Sequence, residues 1–419
     1  PSRGPDPVIS SASASPGPAW LLPISARSDE ALEALTRAYL LRLRSIEAGP
    51  HGHAALTGLC DAAGRRRAHL EHRLAVTGAS RDDLIERLEA FLRHETIPGL
   101  RVDTPLETAS RGVVFVFPGQ GSQWFGMGRQ LLEREPVFRD TIARCDQVFR
   151  AFVDWSLLEA LQCVDDRALL ARIDVVQPTL FAIEVALAAL WRSWGIEPDA
   201  VVGHSMGEVA AACVAGALGL EDAARIICRR SRLLRRVSGQ GAMAVVELTL
   251  EESAEALRGY EDRVSIAVSN SPRSTVLSGD PAALKAVLDS LEARDVFCRW
   301  VKVDIASHSP QMDPLREELL EALAGLQPHA CAIPMFSTVL GHTLIGTELE
   351  ASYWVNNLRE PVLFSGAIDA LARTDHRVFV EMSPHPILLP SIDEGLRHAG
   401  TSGLVLPSLR REELERGGM

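Results

Sequence analysis

Residues 200–212 read AVVGHSMGEVAAA. A short apolar strand, Ala200–Val202, runs into Gly203-His204-Ser205-Met206-Gly207, and a helix of small residues follows from Glu208. In a strand–turn–helix of this kind the two glycines permit a tight turn that holds the serine hydroxyl out at the head of the helix. Ser205 is therefore a candidate nucleophile. The first N–H groups of the helix lack partners within it, so they can stabilise an oxyanion beside Ser205, and Met206 N–H is the natural donor. A bare Gly-x-Ser-x-Gly also occurs in ordinary turns; the flanking strand and helix give it weight here.

Working outward, the run Val113–Phe117 is apolar at every position, which suits a strand buried on both faces, and it ends at Pro118-Gly119-Gln120-Gly121. A helix over Leu180–Trp194 precedes Gly195 and the strand at 200. Strands alternating with helices predict a parallel sheet with covering helices. Between Gly241 and Val303 the segments Met243–Glu247, Ser265–Val268, Ser274–Ser278 and Phe297–Val303 read as strands, with Leu250–Arg258 and Pro281–Arg294 as helices. That βαββαβ order predicts a small ferredoxin-like subdomain inserted into the larger one. Upstream, strand Trp20–Ile24, helix Ser28–Leu41 capped by Ser28, strand Arg73–Val76 and helix Arg81–Leu92 make a small α/β module. The expected organisation is a flexible Pro/Ser/Gly/Ala-rich linker over 1–19, the module over 20–100 and a connector over 101–112, with Pro98–Arg111 crossing a surface. The large subdomain then takes 113–240 and 304–400, the inserted subdomain 241–303, and a further linker starts in 401–419.

A serine nucleophile needs a base, and the chain has 12 histidines. His308 stands out because it follows a strand, Trp300–Ile305, in the run Asp304-Ile305-Ala306-Ser307-His308-Ser309-Pro310, where a side chain can be held towards a neighbouring nucleophile. From the residues alone, a plain turn histidine is an equal reading. His204 adjoins Ser205, but neighbours at such a turn point apart, so it is assigned a supporting role at most. In the helix Glu221–Arg236 most arginines fall on an outer, solvated face, whereas Arg230 has Ile226, Ile227, Leu233 and Leu234 as helical neighbours. A guanidinium on an apolar face needs a partner, and its fork suits a carboxylate, either from within the protein or from a ligand. The Gly119-Gln120-Gly121 turn is a second, weaker source of oxyanion donors; without the lysine and full spacing of a phosphate loop it is not one.

The composition excludes other classes. With 55 acidic and 43 basic residues the formal charge is −12, the wrong sign for a phosphate-backbone partner, so no nucleic acid is expected. No segment has the ~20 uninterrupted apolar residues of a membrane span, and the first residues lack a signal-peptide core, so no membrane and a cytoplasmic location are expected. Seven scattered cysteines without a Cys-x-x-Cys pair predict buried free thiols, with neither disulfide framework nor metal site.

Taken together, FPGQGSQ (117–123), GHSMGE (203–208), ICRRS (227–231), SNSP (269–272), ASHSP (306–310), YWVNNLREPV (353–362) and SPHP (383–386) resemble the malonyl-CoA:acyl carrier protein transacylase family, in particular the acyltransferase domains of type I polyketide synthases. The resemblance covers about 113–400, and the 20–100 module looks like the linker between ketosynthase and acyltransferase. It implies an α/β-hydrolase-like large subdomain with the inserted ferredoxin-like one. Carried over by position, it implies Ser205 as nucleophile, His308 as base steadied by a main-chain carbonyl from 356–360, and Arg230 as binder of the substrate carboxylate. The backbone N–H groups of Gln120 and Met206 match the family's oxyanion donors, and Gln177 and Asn270 match positions lining its site. The implied substrates are malonyl-CoA or methylmalonyl-CoA and the phosphopantetheine thiol of an acyl carrier protein, with neighbouring ketosynthase and other synthase domains as partners and no cofactor bound by the domain itself.

Malonyl-selecting members usually carry His-Ala-Phe-His and methylmalonyl-selecting ones Tyr-Ala-Ser-His; this chain reads Ile305-Ala306-Ser307-His308. Ser307 in place of Phe leaves room for an α-methyl group and favours methylmalonyl, and the run 172–178 agrees, whereas Ile305 and Met206 depart from the methylmalonyl pattern. Alternatives are a malonyl-specific domain, a freestanding fatty-acid-type transacylase, and a non-catalytic scaffold domain. An ester hydrolase of the α/β-hydrolase type is disfavoured, because it orders its triad Ser, acid, His and carries an HGGG-type loop that is missing here.

Overall fold

The computed structural model describes residues 19–103, 112–162, 171–303 and 305–411. Most of the expected 1–19 linker, the connector residues 104–111, Cys163, Asp304 and the tail 412–419 lie outside the described residues. The described residues fall into two compact units, 19–103 and 112–411.

In the first unit, β1 (Trp20–Ala26) leads to α1 (Asp29–Arg44), where Ser28 Oγ caps the Ala31 N–H, and then to α2 (Pro50–Arg65). β2 (His72–Gly78) follows, then α3 (Arg81–Leu92), closed at its start by a Ser80/Asp83 capping box, then β3 (Leu100–Asp103). The strands form an antiparallel sheet in the order β1-β2-β3 over a core that includes Leu22, Leu32, Leu74, Leu84 and Leu88. Two expectations are corrected. Residues 100–103 are an edge strand rather than part of a connector, paired antiparallel with β2 from Val76↔Leu100 to Arg73↔Asp103. Helix α2 was not anticipated: its buried face is Gly52, Leu56, Cys60 and Ala63, so small residues blur the helical period.

The second unit opens with β4 (Gly112–Phe117), then α4 (Arg129–Arg134), α5 (Pro136–Phe149), α6 (Leu157–Gln162), α7 (Ile173–Ser193), β5 (Ala200–Gly203), α8 (Gly207–Val214) and α9 (Leu220–Leu234). β6 (Ala242–Val246), α10 (Leu250–Ala256), β7 (Val264–Ser271), β8 (Ser274–Gly279), α11 (Pro281–Glu292) and β9 (Cys298–Trp300) make the inserted βαββαβ segment. The chain returns through α12 (Arg316–Ala322), β10 (Met335–Phe336), β11 (Thr343–Leu344), α13 (Ala351–Arg359), α14 (Phe364–Arg373), β12 (His376–Glu381), α15 (Leu389–His398) and β13 (Leu404–Pro407).

The large sheet runs β11-β10-β5-β4-β12-β13, parallel except for the β10–β11 pair. β4 shows why its sequence is apolar throughout. Phe115 and Phe117 enter the core shared with α5, α7 and α9, while Val114 and Val116 enter the opposite core under α14 and α15. The inserted sheet runs β7-β8-β6-β9 with every pair antiparallel, the ferredoxin-like order, and a bridge between Val268 and Val362 ties its β7 edge to the large subdomain.

Helix α7 begins at Ile173 rather than Leu180 and carries Pro178 inside it. It is, among the described residues, the one helix long and apolar enough to cross a membrane, and 83% of its most apolar window is buried inside the protein, as befits a core helix. The six described cysteines are free thiols; Cys60, Cys145 and Cys228 are buried and Cys213, Cys298 and Cys331 half-buried.

Candidate active site

The β5–α8 turn is built by close backbone approach. A Cβ on Gly203 would sit 2.3 Å from Glu208 N, and one on Gly207 would sit 2.1 Å from Phe117 O, so neither position admits a side chain. Gly207 N–H donates to His204 O and Glu208 N–H to Ser205 O, closing the turn. Between them Ser205 adopts φ +54°, a left-handed conformation that a side chain disfavours. The elbow thus pushes the Ser205 hydroxyl outward, as its sequence suggested.

Ser205 Oγ lies 2.8 Å from His308 Nε2. His308 also has a left-handed backbone, φ +60°, and is held by its N–H to Leu358 O and its Nδ1 at 2.9 Å from Glu360 O. A carbonyl only accepts, so Nδ1 carries the proton and Nε2 presents a lone pair to the serine. Burial pushes the His308 pKa down to about 3, with the Arg230 charge adding to the effect and the Glu360 bond opposing it. The imidazole is therefore neutral at ordinary pH. The expected strand running to Ile305 is not there: β9 ends at Trp300. The segment 306–309 is instead pinned by bonds from Ser278 Oγ to Ser307 O, Ser309 Oγ to Ala306 O, and His308 N–H to Leu358 O.

Arg230 is on the buried face of α9, 3% exposed, and no carboxylate reaches it among the described residues. Among the described residues it makes one hydrogen bond, from a terminal nitrogen to Asn357 Oδ1 at 2.7 Å, and its Nε has no partner. Burial lowers its pKa to about 10, against the attraction of Glu208, so it stays charged at neutral pH. Asn357 in turn donates to Ser205 O (3.0 Å) and Glu208 Oε2 (2.9 Å). Glu208, fully buried, also accepts from Thr338 N–H and hydroxyl and from Tyr353 OH; burial raises its pKa and these bonds oppose the rise. Glu208 and Asn357 were not singled out from sequence. Both lie inside the quoted motifs, and a glutamate one residue past Gly207 in a helix of small apolar residues was the available signal.

A cavity of about 1160 Å³ opens over Ser205 and His308, and Arg230, Gln120, Gln177, His204, Met206, Asn270, Ile305 and Ser307 all line it. Its apolar wall includes Met243, Val245, Val268, Val276 and Val301 from the inserted subdomain. The N–H groups of Gln120 and Met206 make no hydrogen bond among the described residues, leaving both as free donors at the cavity. Gln177 Nε2 donates to Gln120 Oε1 (3.3 Å), while its own Oε1 is buried without a partner. His204 Nε2 faces Asn270 Oδ1 at 3.0 Å, which turns the ring away from Ser205 and leaves its Nδ1 unpartnered.

The arrangement combines a hydroxyl with a neutral base, a fixed cation with unused donor capacity, and two free N–H groups in one cavity. Such a set can form and break an acyl-serine on a substrate that carries an anion.

Comparison with known proteins identifies the family. Residues 114–416 match the family model for the acyl transferase domain, and residues 20–88 match that for the CurL-like C-terminal region of polyketide synthases. The chain is 45% identical over 401 residues to polyketide synthase GfsE of Streptomyces halstedii, covering 94% of this chain and 10% of that protein. It is 43% identical over 393 residues to erythronolide synthase EryA2 of Saccharopolyspora erythraea, covering 93% of this chain and 11% of that protein. It superposes on the acyltransferase domain from module 8 of the salinomycin polyketide synthase with a TM-score of 0.89 at 37% identity, covering 96% of this chain and 93% of that one. The chain spans about a tenth of the length of the two curated relatives.

Proposed function

The chain belongs to the acyl transferase domain family and is an acyltransferase of the polyketide synthase type, and from that premise we propose that it loads Ser205 from an α-carboxyacyl-CoA and passes the acyl group to a carrier protein. The observation that carries the proposal is the 2.8 Å contact of Ser205 Oγ with the lone-pair nitrogen of His308 in the cavity that also holds Arg230. In the first half-reaction His308 Nε2 takes the Ser205 proton as Oγ bonds to the thioester carbon. The carbonyl oxygen becomes an oxyanion facing the N–H groups of Gln120 and Met206, and the C–S bond breaks as His308 returns the proton to the leaving thiolate. In the second, the phosphopantetheine thiol of the carrier gives its proton to His308 and attacks the acyl-serine, and His308 returns that proton to Ser205 Oγ as the acyl–oxygen bond breaks. Arg230 holds the acyl carboxylate in both halves.

Methylmalonyl is favoured over malonyl, supported by the small Ser307 on the cavity wall beside the buried Ile305 and Met206. One methyl group in an apolar pocket is worth only about 1–3 kcal/mol, so selectivity is moderate. The reaction uses no cofactor held by the domain. The proposed setting is a cytoplasmic synthase that makes polyketides such as antibiotics, with residues 20–100 linking to a ketosynthase and a linker starting beyond 400. Intact-protein mass spectrometry after brief incubation with equimolar malonyl-CoA and methylmalonyl-CoA tests this reading. A methylmalonyl adduct that is lost in Ser205→Ala supports it; a malonyl adduct overturns the selectivity, and no adduct overturns the serine mechanism.

A further inference from the structure

Strand β8 carries a fully buried serine, Ser278, two residues beyond the cavity-lining Val276. Strand alternation puts Ser278 on the same face of the inserted sheet as Val276, and its partner across the β6–β8 pair is Met243, also on the cavity wall. Leu277 and Ala244, the next pair along, enter the opposite core. A buried hydroxyl needs a hydrogen-bond partner. Ser278 Oγ donates to Ser307 O at 2.7 Å, and it is the one donor to that carbonyl among the described residues. The N–H of the same peptide unit, from His308, donates to Leu358 O in α13. The plane between Ser307 and His308 is thus clamped at its C=O by the inserted subdomain and at its N–H by the large one. That clamp sets ψ of Ser307 and the left-handed φ of His308, +60°, a value that persists only where the surroundings hold it. A second contact acts one residue earlier. A Cβ on Gly241, just before β6, would sit 2.3 Å from Ala306 N and 2.6 Å from Ala306 Cβ, so the segment lies directly on the start of β6. Residues 305–309 belong to no strand or helix, and they take their position from these contacts.

We propose that Ser278, assisted by Gly241, is a positioning residue for the choice of acyl group: by holding the Ser307 carbonyl it sets where the Ser307 side chain meets the acyl substituent. The proposal rests on the reading that Ser307 faces that substituent. A methyl-sized difference in a pocket is discriminated only about 10–200-fold, so a small displacement of the wall erodes much of it. A Ser307 carbonyl without its donor turns with its peptide plane and carries the Ser307 Cβ with it. His308 keeps its separate bonds to Leu358 O and Glu360 O, so the loss bears more on selectivity than on serine acylation.

The test is internal competition: malonyl-CoA and methylmalonyl-CoA are mixed in one tube, and the ratio of the two Ser205 adducts is read by intact mass after brief incubation. That ratio reports relative kcat/KM and does not depend on how much of a variant is folded, so lost stability alone leaves it in place. Ser278→Ala is expected to reduce the discrimination roughly fivefold, the worth of one hydrogen bond. Gly241→Ala, which must push Ala306 away, is expected to move the ratio in the same direction. Ser278→Thr keeps the donor and should stay within about twofold of the wild type. Ratios unchanged in both alanine variants, with Ser307→Phe shifting the preference, overturn the positioning role while the reading of Ser307 stands. A Ser278→Thr shift as large as that of Ser278→Ala assigns the effect to packing and also overturns it. If Ser307→Phe itself leaves the ratio unmoved, the reading beneath fails and the proposal falls with it.

Discussion

Replacing Arg230 with alanine removes a cation buried beside the dyad, and the structure gives two separate consequences. The first concerns choice of acyl group. Arg230 has an unused Nε donor and only an amide as partner, so a substrate carboxylate would complete its pairing. Truncating one member of a buried, hydrogen-bonded charge pair costs about 2–5 kcal/mol, which is between roughly thirtyfold and a few thousandfold in kcat/KM for an α-carboxyacyl donor. Acetyl-CoA has no carboxylate to lose, so its rate should hold or rise and the preference should invert. The second concerns pH. His308 must be neutral to accept the serine proton, and the Arg230 charge is one of the causes holding its pKa at about 3. Without that charge the His308 pKa rises towards 6.5, so the acid limb of the kcat/KM profile should move to higher pH. Competition between malonyl-, methylmalonyl- and acetyl-CoA, read by intact mass, measures the first effect, and a pH series measures the second. Because Arg230 also supports Asn357, thermal unfolding and an Arg230→Lys variant, which keeps charge without the fork, separate recognition from damage. An alanine variant that folds, keeps the α-carboxyacyl preference and leaves the acid limb in place would refute the assignment.

Two further outcomes are expected. Ser307→Phe should shift the extender preference from methylmalonyl towards malonyl by roughly tenfold or more, since it fills space at the cavity wall; the same mass competition reads it. Glu184 lies in the core of α7 with neither carboxyl oxygen partnered, and burial, with Glu381 adding to it, raises its pKa well above 4.5. A raised folded-state pKa means that wild-type stability falls as pH rises from 4.5 through that pKa. Glu184→Leu should therefore gain about 1–3 kcal/mol in urea unfolding at pH 8 and much less at pH 5; equal gains at both pH values would contradict a protonated core carboxyl.

The elements legible in the sequence were those whose side chains alternate or repeat with large residues. Val113–Phe117 and Arg81–Leu92 are of this kind, as is the four-stranded insertion with its ferredoxin-like order. Helix α2 escaped because its buried stripe contains Gly52 and Ala63, and the start of α7 because Pro178 argues against a helix interior. The strand expected over Trp300–Ile305 stops at Trp300 for a different reason. Its apolar residues alternate like a strand's, but Ser307 and His308 beyond it bond to Ser278 and Leu358, partners distant in the chain that no local pattern reveals. Periodicity placed Arg230 on the buried face of α9 and left its partner open; that partner is the amide of Asn357, 127 residues away. The Glu208–Asn357–Arg230 chain of contacts is a tertiary fact, and only the presence of a charged residue in an apolar helix hinted at it.

Both members of the dyad sit where L-amino acids are least comfortable, Ser205 at φ +54° and His308 at φ +60°. Each conformation costs roughly 1–2 kcal/mol for a residue with a side chain and almost nothing for glycine. Ser205→Gly would then make a sturdier but inert molecule, so a screen that rewards heat resistance alone is drawn towards discarding the nucleophile. Robustness and turnover pull in opposite directions at that one residue, and any programme of stabilisation has to score acylation alongside survival.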